Sequence, residues 1–190
     1  DGTSLAIIIN DINRAYSGEK LEPEGYTSYD LALDNRDALA GDIYKNAENY
    51  YKSVFEHAGG SISFYPDKNG AAPTAELYHR ETRSISVQDV KEFCKKHGIT
   101  ENVFFISAFG ITLGKYNFKK DAVFTTIYHG RNDSRLSETV GMLVKTLPVF
   151  CDFSGTAKDC LSGVQKQLID SMNNDIYPFS QISHEFDIKA

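Results

Sequence analysis

Gly130-Arg-Asn-Asp-Ser-Arg-Leu-Ser-Glu-Thr-Val-Gly-Met-Leu-Val-Lys-Thr-Leu-Pro-Val149 is the stretch that decides how this chain is read. An apolar, β-rich run over residues 122–128 leads into it and stops at the polar turn Gly130-Arg131-Asn132-Asp133. Residues 134–140 are helix-capable, with Glu138 near the middle. Gly141 breaks that segment, and residues 142–153 predict a second strand with Pro148 inside it. Two strands are thus joined by a polar crossover that carries Arg131 near the end of the first. A glycine lets the backbone come close to a partner, and an arginine pairs with anions, so loops of this kind are where sites are built. From spacing alone, a solvated turn is the simpler reading.

Working outward, the 190 residues are 41% hydrophobic, enough for one or at most two domains with a true core. No apolar run approaches the span of a bilayer and no basic-then-apolar leader is present. A cytoplasmic protein that does not enter membranes is expected. Three cysteines (Cys94, Cys151, Cys160), odd in number and without CxxC spacing, argue against a disulfide framework and a zinc site, so no metal is expected. The net charge of −6 falls entirely on residues 1–70, where 12 acidic side chains face 6 basic ones. With no basic stripe, nucleic acid is not an expected partner. The acidic part reads as a solvated helical face.

Residues 3–17 predict a first helix with the stripe Leu5, Ile8, Ile9, Ile12 and Tyr16, capped by Asp1-Gly2-Thr3-Ser4. Residues 29–58 predict a long polar helical region broken near Gly41. Residues 61–73, with Pro66, Gly70 and Pro73, read as the linker. Residues 75–84 read as a strand. Ser86 opens a helix that Gly98 stops, and Thr100 caps one apolar nearly all round, hence buried. Thr156 caps a helix with Leu161, Val164, Leu168 and Met172 inward. A turn around Pro178 and a short amphipathic tail follow. The order predicts an α/β layered domain with a mixed sheet.

Of the five histidines, His57, His79, His97 and His184 have no Cys or carboxylate at nucleophile or metal spacing. His129, just before Gly130-Arg131 at the end of a buried strand, is the candidate to face a substrate channel. No nucleophile elbow, Walker loop, Rossmann glycine set or His-Glu-x-x-His is present. Asp1-Gly2 at the mouth of an apolar helix fits a simple cap. It also fits a helix N-terminus turned toward a carbonyl oxygen that gains negative charge, with Gly2 allowing close approach.

Together these features resemble the condensation domains of nonribosomal peptide synthetases. Asp1-Gly2-Thr3-Ser4-Leu5 looks like the end of that family's His-His-x-x-x-Asp-Gly and the helix after it. Tyr26-Thr-Ser-Tyr29 partly matches Tyr-x-Asp-Tyr-Ala-x-Trp, with Ser28 for the Asp and Ala32 for the Trp. Residues 86–116 and then 123–131 look like the run leading to the family's Gly-Arg. Gly141-Met-Leu-Val-Lys-Thr-Leu147 is similar to Gly-x-Phe-Val-Asn-Thr-Leu, departing at Leu143 and Lys145, and Ile176-Tyr-Pro178-Phe179 resembles its Val-Pro-Phe.

The resemblance implies a chloramphenicol-acetyltransferase-like (CoA-dependent acyltransferase-like) fold of two lobes with a tunnel between them. Residues 1–70 would be the end of the N-terminal lobe and connecting helices, and residues 71–190 an incomplete C-terminal lobe. The chain would bind no cofactor itself. Phosphopantetheine arms of peptidyl or acyl carrier proteins would enter from opposite faces, and the acceptor's amine would attack the donor thioester to form an amide. The missing N-terminal lobe and adjacent synthetase domains would be further partners. In this reading Asp1 is structural, ion-paired with an arginine, and Gly2 comes near the thioester carbonyl. The second histidine of the motif accepts or positions the amine's proton. His129, Gly130, Arg131, Lys145 and Thr146 would contribute to the tunnel and the lobe interface. Starting at Asp1, the chain is expected to be a piece of a longer protein, to lack the catalytic histidines and to be inactive alone. It is also expected to leave the stripe Leu5, Ile8, Ile9 and Ile12 exposed. A related same-fold acyltransferase, an epimerisation domain and a non-catalytic carrier-docking lobe are the alternatives. Leu5 stands where epimerisation domains usually carry Trp, which weighs against that subtype.

Overall fold

A computed structural model describes residues 1–56, 58–64 and 84–189. Helices α1 (Gly2–Tyr16), α2 (Ser28–Leu39) and α3 (Asp42–Phe55) come first, followed by α4 (Val87–His97) and α5 (Glu101–Tyr116). Strand β1 (Asp121–Tyr128), strand β2 (Lys145–Asp152), α6 (Ala157–Asn173) and α7 (Phe179–Phe186) complete the order. Local chemistry explains most boundaries. Thr27 with Asp30 and Thr156 with Asp159 form reciprocal capping boxes for α2 and α6, while Ser86 and Thr100 accept the N3 amides of α4 and α5. Gly98 ends α4 at φ 64, in the left-handed region. The break at Gly41 separates α2 from α3, as expected.

The two strands pair antiparallel, from Asp121 opposite Asp152 to Tyr128 opposite Lys145. The fold is α/β, and among the described residues the whole sheet is this small antiparallel pair with helices packed on it. The connection of residues 129–144 is therefore a wide loop between antiparallel neighbours. The expected strand over 75–84 lies almost wholly outside the described residues, as do most of the expected linker, His57 and His79.

Alternation along β1 and β2 divides the interior in two. Ala122, Phe124, Val149 and Cys151 face α5 and α6, packing with Val103, Ile106, Leu113, Cys160, Val164 and Leu168. Val123 and the partly buried Phe150 face the other way, onto Ala47, Tyr51 and Phe55 of α3 and onto Tyr177, Ile182 and Ile188. The helix α3 thus shares one core with the end of the chain.

Three local expectations change. The helix α5 buries one side only, and Phe105, Phe109 and Tyr116 are exposed. Those exposed aromatics disguise the amphipathic pattern, while the buried side joins Val103, Ile106 and Leu113 to small residues that let the sheet come close: a Cβ on Gly110 would meet Cys151 Sγ at 2.7 Å. Residues 134–140 form only a 3-10 turn, Ser134–Leu136, because the carbonyls of Leu136 and Thr139 accept from the Arg131 guanidinium. The second strand starts at Lys145 rather than at Met142, since the Leu143 amide bonds to Asp1. The tail is an ordered helix, α7, with Ile182 buried.

Beside the second core, the Tyr50 hydroxyl donates to the Gln167 carbonyl at 3.0 Å, and that of Tyr51 donates to the Ser171 carbonyl at 3.3 Å. Burial pushes the Tyr50 phenol up to about 12 and raises that of Tyr51 as well. The folded protein therefore holds these protons at a pH where the unfolded chain, with phenols near the ordinary 10, releases them. Stability from these groups is complete below about pH 10 and is expected to fall as pH rises toward about 12. Alkaline titration by tyrosinate absorbance should show a late class that appears together with loss of the fold. If all tyrosines titrate together near pH 10 with the fold intact, the packing of α3 is wrong.

Candidate functional site

The stripe on α1 does not reach either core. Leu5 is 58% and Ile12 61% exposed, with Ile8 and Ile9 also open, as expected. What attaches α1 to the rest of the chain is its N-terminus. Asp1 caps the helix, with Oδ1 accepting the Ser4 amide at 2.8 Å, and Oδ2 accepts the Leu143 amide at 3.0 Å. A carboxylate at this end of a helix is favoured by the exposed N–H groups and the helix dipole.

Arg131 completes the arrangement. One terminal nitrogen lies 3.4 Å from Asp1 Oδ1 and donates to Ser4 Oγ at 3.0 Å. The other donates to the carbonyls of Leu136 and Thr139, the latter at 2.9 Å. Both charged side chains are buried, 7% exposed for Arg131 and 3% for Asp1. Charges so far from water persist only when paired and hydrogen-bonded, and here both are. Ser4 is equally spent: its hydroxyl donates to the Gly141 carbonyl at 2.7 Å and accepts the Gly141 amide at 3.0 Å. Thr139, fully buried, donates to the Tyr26 carbonyl at 2.6 Å, and Glu24 accepts the Val140 amide at 2.7 Å. One polar network thus closes α1, the 24–27 segment and the 130–143 loop on each other.

Gly130 makes the closure possible. It sits at φ 70, and a Cβ there would lie 1.8 Å from the Leu143 carbonyl oxygen. At the other end of the network, Gly2 is exposed and nothing lies within 4 Å of where its Cβ would be. The N-terminus of α1 is therefore fixed on the side of the 130–143 loop by Asp1 and Arg131.

Two clefts flank the loop. The first, of about 560 Å³, lies between α2, the start of β2 and residues 175–180, and includes Lys145 and Thr146 in its wall. The second, of about 490 Å³, is bounded by α2 and the 130–145 segment and includes Gly130 and Lys145. In its wall Arg135 sits over the Tyr26 ring at 4.4 Å and pairs with Asp133 at 2.7 Å, a contact that holds the Asp133 carboxyl below its ordinary range. Lys145 Nζ meets Asp175 Oδ1 at 2.9 Å.

The expected site residues therefore fall into three groups. Asp1, Gly2, Gly130 and Arg131 come together at the helix mouth, and Lys145 and Thr146 line clefts. His129 is exposed and lines neither cleft; its Nδ1 accepts the Arg131 amide at 3.0 Å, which leaves the proton of the neutral ring on Nε2. Ser4, Thr139 and Asp175 belong to the site without a motif that marks them; Ser4 reads as a cap residue in the sequence, and its burial shows the distant partner. Among the described residues no group of three or more His, Cys, Asp or Glu is placed to hold a metal ion, and no helix is long and apolar enough to cross a membrane.

Comparison with known proteins gives a consistent result. The family model described as the condensation domain matches residues 1–190. The nonribosomal peptide synthetase sidC of Arthroderma benhamiae is 29% identical over 186 residues, which is 96% of this chain and 4% of that protein. Surfactin synthase subunit 1 of Bacillus subtilis is 28% identical over 201 residues, covering 99% of this chain and 5% of that protein. Among solved structures, the SgcC5 protein from Streptomyces globisporus aligns with a TM-score of 0.78 at 19% identity, over 98% of this chain and 44% of its own. The first condensation domain of the calcium-dependent antibiotic synthetase, bound to a substrate analogue, aligns at 0.74 with 16% identity, over 98% and 43% respectively. The chain thus spans a small part of these synthetases and less than half of each solved chain.

Proposed function

The chain belongs to the condensation-domain family, and from that premise we propose that it is part of a nonribosomal peptide synthetase domain that forms amide bonds. The donor is an acyl or peptidyl thioester on the phosphopantetheine arm of one carrier protein, and the acceptor is an aminoacyl group on another. The acceptor nitrogen attacks the thioester carbonyl, a C–N bond forms, the C–S bond breaks, and the donor arm leaves as its thiol. The observation that carries this reading is the buried Asp1–Arg131 pair, which fixes the mouth of α1.

Within that reaction Asp1 and Arg131 hold geometry. Gly2 lets the thioester carbonyl approach the positive end of α1, where charge on its oxygen is stabilised. Gly130, Lys145 and Thr146 shape the substrate space. His129 is assigned no proton transfer, because its Nδ1 is spent on the Arg131 amide. The amine's proton goes to a base outside these 190 residues, the second histidine of the family's His-His motif. The 190 residues alone are therefore proposed to be inactive. Neighbouring synthetase domains, the lobe that carries that motif and a cytoplasmic setting belong to the same reading.

The test is transfer between two loaded carriers by the intact parent protein, followed by the mass of the acceptor carrier. A gain equal to the donor acyl group is expected. Hydrolysis of the donor without transfer sinks the proposal, and an inverted donor stereocentre at unchanged mass points to epimerisation instead.

A further inference from the structure

The two clefts beside the 130–145 segment are not independent. Asn35, Val144, Lys145 and Asp175 stand in the walls of both, so the same side chains separate one space from the other. Lys145 is the first residue of β2, pinned opposite Tyr128, and Asp175 lies in the turn after α6. The Lys145 ammonium is held by two oxygens of one residue, the carboxylate of Asp175 at 2.9 Å and its main-chain carbonyl at 3.1 Å. Two bonds from different directions make it a fixed wedge rather than a mobile surface charge, and both side chains are partly buried, at 33% and 24% exposed.

The spaces on either side differ in chemistry. Leu39, Leu147, Ile176, Pro178 and Phe179 give the first cleft an apolar wall. The second is mixed, with Asp34, Asp133 and Arg135 beside Leu31, Met142 and Leu143. Each has a volume within the range of small-ligand sites, and the pair stands in the wall that the two share.

We propose that the Lys145–Asp175 ion pair is a partition that limits the size of the apolar acyl or aminoacyl group seated in the first cleft, and so determines substrate specificity. The proposal rests on the amide-forming reading given above. The seated group is the hydrocarbon side chain of a thioester-bound amino or carboxylic acid. Its polar arm lies on the far side of the pair. A lysine stands here where the signature quoted for the family has a shorter, neutral asparagine.

The test uses the intact parent protein and two unreactive probes, the pantetheine amides of alanine and phenylalanine, with affinities measured by calorimetry. Lys145→Ala is expected to shift the phenylalanyl-to-alanyl affinity ratio toward the larger group by roughly tenfold, the scale on which pockets discriminate side-chain size. Asp175→Ala removes the other half of the wedge and is expected to shift the ratio in the same direction, so a folding failure in one variant leaves the other to decide. Lys145→Arg can still reach Asp175 and is expected to preserve the wild-type ratio. A ratio unchanged in both alanine variants, an equal shift in Lys145→Arg, or no binding of either probe to the wild type overturns the partition. Probe binding that obeys these expectations in a protein that makes no amide would instead sink the amide-forming reading and leave the partition standing.

Discussion

Replacing Arg131 with alanine is expected to cost about 3–5 kcal/mol, the scale on which removing one partner of a buried ion pair destabilises a protein. The loss goes beyond the contact with Asp1. Truncation leaves a carboxylate that is 3% exposed without its counter-charge, and it takes a donor from the carbonyls of Leu136 and Thr139 and from the Ser4 hydroxyl. Asp1→Asn is expected to cost less, on the order of 1–3 kcal/mol, because an amide oxygen can still cap Ser4 and Arg131 keeps its other acceptors. The double variant should be more stable than the sum of the two losses predicts, with a coupling of about 0.5–3 kcal/mol. Denaturant unfolding of the four proteins measures all three quantities. Additive losses would mean that the two side chains do not pair.

Gly130→Ala is expected to be as damaging, at about 3 kcal/mol or more, although it adds a single methyl group. Two effects combine. At φ 70 an L side chain pays a left-handed penalty of about 1–2 kcal/mol. The new Cβ would also lie 1.8 Å from the Leu143 carbonyl oxygen, a backbone atom that cannot rotate away. Relief requires the 130–143 loop to move off Leu143, whose amide is bound to Asp1. The substitution should therefore release α1 as well, read as faster amide exchange at Ser4, Leu5 and Leu143. Wild-type exchange rates at those amides would contradict the close approach.

The sequence made the local features legible. The caps at Ser86, Thr100 and Thr156, the stop at Gly98 and the break at Gly41 appear where side-chain and backbone chemistry required them. The open stripe of α1 was also readable, because Leu5, Ile8, Ile9 and Ile12 recur at helical spacing whatever covers them. Distance in the chain hid the rest. Ser4 meets Gly141 across 137 positions and Thr139 meets Tyr26 across 113, and no local pattern encodes such pairs. The segment 134–140 had helical character but lost its carbonyls to Arg131, a case of tertiary contacts overriding propensity. The helix α5 reads as apolar all round because its exposed side carries Phe105, Phe109 and Tyr116. Gly130, Arg131 and Asp1 were each visible as unusual. That Arg131 was the partner of Asp1 became apparent only when the fold brought them together.

On the proposed reading, Arg131 serves amide formation by holding the mouth of α1 in place and not by moving a proton. The most direct measurement is the pH profile of single-turnover amide formation by the intact parent protein, for wild type and Arg131→Lys. A lysine keeps the charge but loses the fork that reaches Asp1, Ser4, Leu136 and Thr139 together. The rate is expected to fall by roughly tenfold or more while the midpoint of the profile stays where it was. An unchanged rate, a displaced midpoint, or no amide from the wild type would contradict the claim.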